Sequence, residues 1–215
     1  FAKDLRQMAT GAIAATVSFQ AIQGAVRNII GDFMTLEKLM VQLDTATGSV
    51  AKAEDKFAEL SKTASKLPLS IEETTEAFIR LQNMGLDGSE RSLISFTNTA
   101  SAMGKSLTQF VEAVADANTR EFERLKEFGI KAKNEGENIR FIFQGNEKVI
   151  KNTSKAIVGY LTDIGENEFA GAAEKQMGTL EGAISNVKDA AFQLNSSLGE
   201  FVVPTLKEMA KTLEG

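Results

Sequence analysis

The chain has 215 residues and a mass of 23.2 kDa, enough for one substantial core or two small ones. Hydrophobic residues make up 43% and charged residues 25%, with a net charge of −5, a globular balance without the basic excess of a nucleic-acid binder. Histidine, cysteine and tryptophan are absent, which excludes Ser-His-Asp and Cys-His nucleophile systems, zinc sites of His and Cys, and disulfides.

The chain starts at Phe1 rather than Met and stops at Gly215 inside a helix-like pattern, so it reads as a piece of a longer protein. Lys3 and Asp4 argue against a signal peptide. Apolar or small residues then recur at Leu5, Met8, Ala12, Ala15, Phe19, Ile22, Val26, Ile29, Phe33, Leu36, Met40 and Leu43. Their spacing alternates three and four, a heptad rhythm that predicts one long helix over 1–48 with a coiled-coil-like seam. A domain of this size does not cover such a helix, so the seam needs a partner from the same chain or another copy. The uncharged run from Gln7 to Val26 is long enough to cross a bilayer. Its Gln7, Thr10, Thr16, Ser18, Gln20 and Gln23 favour the seam over a resting span. Conditional insertion, a transient membrane contact, stays the alternative.

A compact helical region is expected over 49–168. Val50, Ala53, Phe57, Leu60, Ala64 and Leu67 give an amphipathic helix stopped before Pro68. Ser70 with Glu73 forms a capping box, and the helix it opens runs to a glycine stop at Gly85. Ser106 with Gln109 repeats the box, and Asn118 with Glu121 is expected to start a short helix ending at Gly129. The period then changes to two. Ile139, Phe141 and Phe143 alternate with Arg140, Ile142 and Gln144, flanked by Ile130–Lys133 and Lys148–Lys151. These predict a small three-stranded antiparallel meander, with Gly145-Asn146 as a II′ turn and Gly145 at positive φ. Thr153 or Ser154 caps the next helix.

A second seam follows over 169–215: Ala170, Ala173, Met177, Leu180, Ile184, Val187, Ala191, Leu194, Leu198 and Phe201, again spaced three and four. Pro204 is expected to interrupt it as the first turn of a new helix. The fold class is therefore mainly α, with coiled-coil-like helices at both ends flanking a compact helical region that carries the β meander. The candidate interface residues are Phe19, Ile22, Val26, Ile29, Phe33, Leu36, Met177, Leu180, Ile184, Val187, Leu194 and Leu198.

Nothing in the sequence marks a catalytic, cofactor or metal site. Gly104-Lys105-Ser106 ends like a P-loop, but Thr99 stands where another glycine is required and the preceding residues read as helix. A glycine stop before a helix cap explains it. Asp87-Gly88-Ser89-Glu90 lacks the spaced ligands of a calcium loop and reads as a turn into a capped helix. Glu121 and Glu123 diverge by about 200° on a helix and do not make an acid–base pair.

Three stretches resemble phage tail tape measure proteins: Glu-Phe-Glu-Arg-Leu-Lys-Glu-Phe-Gly-Ile at 121–130, Ile-Arg-Phe-Ile-Phe-Gln-Gly at 139–145, and Phe-Ala-Gly-Ala-Ala-Glu-Lys-Gln-Met-Gly-Thr-Leu-Glu-Gly-Ala-Ile-Ser-Asn-Val-Lys-Asp-Ala at 169–190. The helical pair Ser61–Gly85, jointed at Leu67-Pro68-Leu69-Ser70, is similar to that family too. Many relatives place a glycine before the Glu-Phe; Arg120 stands there instead. The resemblance implies a structural virion protein, several copies lying inside the tail tube, setting tail length and docking to tube and tail-tip proteins. It would occupy the host cytoplasm during assembly. Some tape measure proteins carry cell-wall-cleaving domains; the zinc type needs histidine ligands, and no buried general-acid Glu is marked here.

Overall fold

Side-chain caps fix where helices begin. In the computed structural model, which describes residues 19–213 (without the side chains of 19–23, 180–181, 183–186, 201 and 205–213), α1 spans Phe19–Thr47. The Ser49 hydroxyl accepts from Lys52 N–H and opens α2, Val50–Ala64. Ser70 and Glu73 form the expected reciprocal box at 3.1 and 2.9 Å and open α3, Ile71–Asn83. Ser89 caps α4, Glu90–Ala102, and the Ser106–Gln109 box opens α5, Leu107–Asn118. A 3₁₀ turn at Arg124–Phe128 leads into β1, Ile130–Glu135, β2, Asn138–Phe143, and β3, Asn146–Lys151. Thr153 caps α6, Ser154–Asp163, which passes into a π turn at Ile164–Glu168. Short α7, Ala172–Met177, and long α8, Leu180–Leu213, complete the chain.

Several details differ from the sequence expectations. Asn118 does not open a helix: it is the last residue of α5, and the 3₁₀ turn that follows has no side-chain cap. The second seam is cut after Met177. Gly182 N–H bonds to the Thr179 hydroxyl at 3.3 Å, so a new N-cap restarts the helix at Leu180 and leaves Ala170, Ala173 and Met177 outside it. Nor does Pro204 interrupt. It lies within continuous α8, where its missing N–H forfeits one helical bond in a helix of 34 residues.

The meander has strand order β1-β2-β3, both pairs antiparallel. Its second turn is shifted by one residue. Phe143 pairs with Asn146, so the central residues are Gln144 and Gly145, at φ 49° and 82°. Two positive values make a I′ turn rather than the expected II′ turn. Positive φ at the first central residue alone falls in the other hairpin, at Gly136.

Two units are defined, one spanning Leu36–Gln193 and the other combining the chain up to Thr35 with Leu194 onward. The expected breaks at 48/49 and 168/169 fall inside the first, whose buried residues include Leu39 and Leu43 of α1 and Ala173 of α7. Aromatic rings knit its core: Phe96 meets Phe110 edge-on at 5.4 Å, Phe110 meets Phe128 at 4.7 Å, and Phe141 lies 4.5 Å from Tyr160. Helix α4 is buried despite a polar sequence. Ser92, Ser95, Thr97, Asn98 and Thr99 are all inside, because each can hand its polar atoms to a partner. Thr97 and Thr99 donate back to Leu93 and Ser95 carbonyls, and Ser95 donates to the Thr162 carbonyl at 2.6 Å. Asn98 donates to the Gly165 carbonyl at 3.2 Å and accepts from Ala173 N–H at 3.0 Å.

At the π turn, a Cβ on Gly165 would sit 2.0 Å from the Ser95 carbonyl oxygen. Backbone cannot give way as a side-chain tip can, so Gly165→Ala should cost about 3 kcal/mol in urea denaturation. The shifted turn makes a second, signed prediction. Gly145→Val should lose roughly 1–3 kcal/mol, whereas Gln144→Asn should gain about 0.5 kcal/mol, since Asn tolerates the left-handed backbone there. Matched thermal melts check both.

Candidate functional site

Each motif that looked chemical is consumed by local structure. Gly104, at φ 64°, stops α4; Lys105 pairs with Glu127 at 2.8 Å; Ser106 is the cap of α5. Glu123 pairs with Lys126 at 2.6 Å, while Arg124 turns to Asp116 at 2.7 Å and to Glu112 on α5. Glu121 is exposed. The three charges therefore do not converge. Among the described residues, no group of three or more Asp or Glu is placed to hold a metal ion. No described helix is long and apolar enough to cross a membrane; residues 7–18 of the uncharged run lie outside the described residues.

The candidate interface residues separate into three groups. Phe19, Ile22, Leu180 and Ile184 have side chains outside the described set. Ile29, Phe33, Leu36 and Met177 are half-buried. Val26, Val187, Leu194 and Leu198 are exposed, at 37%, 70%, 59% and 40%. On α8 the three exposed residues recur at intervals of seven and four, so they share one face. A different face makes the contact with α1. Asn195 donates to the Asp32 carboxylate at 2.7 Å, and a Cβ on Gly199 would lie 2.5 Å from the Cβ of Phe33. Small and polar residues thus bring these helices together, and Val187, Leu194 and Leu198 are left uncovered.

Three open clefts of the first unit are lined by described residues. Two of them, about 570 and 600 Å³, flank the loop that enters α4 and share Asp87. Burial opposes ionisation of Asp87, but the Ser92 and Ser89 hydroxyls and the Ser89 N–H donate to its carboxylate and hold it below the usual aspartate range. At the mouth of the first cleft, Arg91 forks onto Glu166 at 2.5 and 2.6 Å, which raises the guanidinium and lowers the carboxyl. The Asp87, Arg91 and Glu166 charges are thus engaged within the chain, while Lys155 and Asp163 also line this cleft. The third, about 260 Å³, lies between β3, α6 and the π turn, where Lys148, Tyr160 and Asp163 meet. Sequence reading misses it and misses the Arg91–Glu166 fork, since partners 12 to 75 residues apart leave no periodic trace.

No protein-family model, curated protein or solved structure matches this chain.

The Asp87 cluster makes a pH-dependent prediction. A depressed folded pKa adds stability that is present above the ordinary aspartate range and is lost as pH falls through the folded value. Asp87→Ala should cost about 1 kcal/mol at neutral pH, and the gap to the parent should close as the solution is acidified. Thermal melts of both proteins across acid pH check the sign.

Proposed function

We propose that the chain is a structural, non-enzymatic segment of a phage tail tape measure protein. In this reading it lies within the tail tube, self-associates along its long helices and contributes to setting tail length. The observation that carries it is the exposed apolar face on α8, Val187, Leu194 and Leu198, on a helix of 34 residues. At about 1.5 Å per residue, α1 and α8 measure roughly 44 and 51 Å, which suits parts packed along an axis. The stretches at 121–130, 139–145 and 169–190 support the same reading, as does the use of every chemical-looking motif in caps and ion pairs. In this reading the unit Leu36–Gln193 is a folded station on the ruler, suited to docking tube or tail-tip proteins.

Replacing Ile22 and Ile29 together by Asp places charges in the α1 seam, each costing several kcal/mol in an apolar contact. Sedimentation velocity should show weaker association than the parent; equal association would remove the seam as an interface. Peptides of the chain should also be found by mass spectrometry in purified tails, and their absence from tails would overturn the tail reading.

A further inference from the structure

The third cleft is built around a cation that the chain itself supplies. Its floor is apolar: Phe143, Tyr160 and Ile164 are 7%, 8% and 3% exposed. The Lys148 ammonium stands 5.4 Å from the centre of the Tyr160 ring and 3.4 Å from the Asp163 carboxylate. Both contacts are loose. The ion pair is long, and the two side chains remain 54% and 46% exposed, so little holds this ammonium against a competitor.

The charges around it are unbalanced. Glu147 is drawn to Arg140, which donates to it at 2.7 Å and also takes Glu135, so its charge is engaged away from the cleft. Asp163 and Glu168 remain, and among the described residues Glu168 has no basic partner. Its charge is felt at the ring: burial first, then Glu168, pushes the Tyr160 phenol above its usual range. Asn146 and Asn167 add no charge, and Asn167 donates to the Asp163 carbonyl at 2.9 Å. Besides the engaged Glu147, the cleft therefore holds the Asp163 and Glu168 carboxylates, the Tyr160 ring and a single weakly held ammonium.

We propose that this cleft takes a lysine or arginine side chain of a partner protein, seated on the Tyr160 ring beside Asp163 and Glu168 in place of the chain's own Lys148. The chemistry that selects it is the attraction of a desolvated cation to an aromatic face, added to carboxylate pairing. Lys148 serves as an internal stand-in that keeps the site filled until a partner arrives. The inference stands on the cleft alone and does not depend on the tail reading.

Tyr160 is the one tyrosine of the chain and there is no tryptophan, so tyrosine fluorescence reports this cleft specifically. The full chain is titrated with n-butylammonium chloride at constant ionic strength, with n-butanol as the uncharged control. A saturable change with the ammonium and none with the alcohol is expected. Lys148→Met should lower the half-saturating concentration about threefold by removing the competitor, and Asp163→Asn should raise it by about the same factor. Should Lys148→Met lose its parental circular dichroism, Lys148→Gln serves in its place. A linear response, an equal response to n-butanol, or a half-saturation unmoved by loss of Lys148 would overturn the proposal.

Discussion

The close approach of the Ser95 carbonyl to Gly165 sets the course of the chain from α6 into α7. A helix as polar as α4 enters a core only if its side chains carry their partners with them, because each unmet buried donor or acceptor costs roughly 1–3 kcal/mol. Ser95 and Asn98 meet this demand by reaching across to Thr162, Gly165 and Ala173, all beyond the β meander in sequence. Only glycine allows the two backbones to come so close. The widened π turn at Ile164–Glu168 is then the shape the chain takes to leave α6 while keeping those bonds. Asn98 fixes the first turn of α7, Thr179 restarts the helix, and Asp189 of α8 returns to accept from Ile71 N–H at the start of α3. Burial raises the Asp189 carboxyl, the Ile71 N–H opposes the rise and Glu73 adds to it.

The meander is tied down by different means. Its inner face, Ile130, Ile139, Phe141 and Phe143, is buried, and the outer face carries Lys131, Lys133, Arg140 and Glu147. Lysines on both edge strands discourage pairing with another chain. A polar knot closes the open end: Asn152 donates to the Gly136 carbonyl at 2.8 Å and accepts from Arg120 at 2.8 Å. Arg120 itself has φ 74°, the left-handed conformation that a glycine would adopt without strain. Its guanidinium bonds to both the side chain and the carbonyl of Asn152, which offsets that strain. Arg120 thus exchanges the backbone ease of a glycine for a long-range tether.

How much of this could be read in the sequence follows from the range of each interaction. Caps such as Ser70–Glu73 and Ser106–Gln109 join residues three apart, and both stand as expected. The strand alternation at Ile139–Phe143 is equally local and was legible. The I′ turn was not, because Gly145-Asn146 and Gln144-Gly145 both fit a two-residue loop, and the choice rests on pairing Phe143 with Asn146. Apolar residues at Ala170, Ala173 and Met177 continue a rhythm across a helix break, since the Thr179 cap is a single hydroxyl that periodicity does not register. Asn98 lies among Ser and Thr residues on α4, with no local pattern that singles it out. Its importance depends on partners 67 and 75 residues away.

The two faces of α8 show why a heptad rhythm is evidence of a seam but not of which neighbour fills it. Burying Leu194 and Leu198 against α1 would remove the most apolar area from water, about 25 cal/mol for each Å². The chain instead brings Gly199 to Phe33 and Asn195 to Asp32, contacts with less apolar area but shorter reach. Glycine lets the helix axes approach, and the amide–carboxylate bond fixes the register. The larger side chains then face outward, where the burial energy of Val187, Leu194 and Leu198 remains available to a further partner. The contact within the chain is thus made at Gly199 and Asn195, and the three large exposed residues of the heptad rhythm take no part in it.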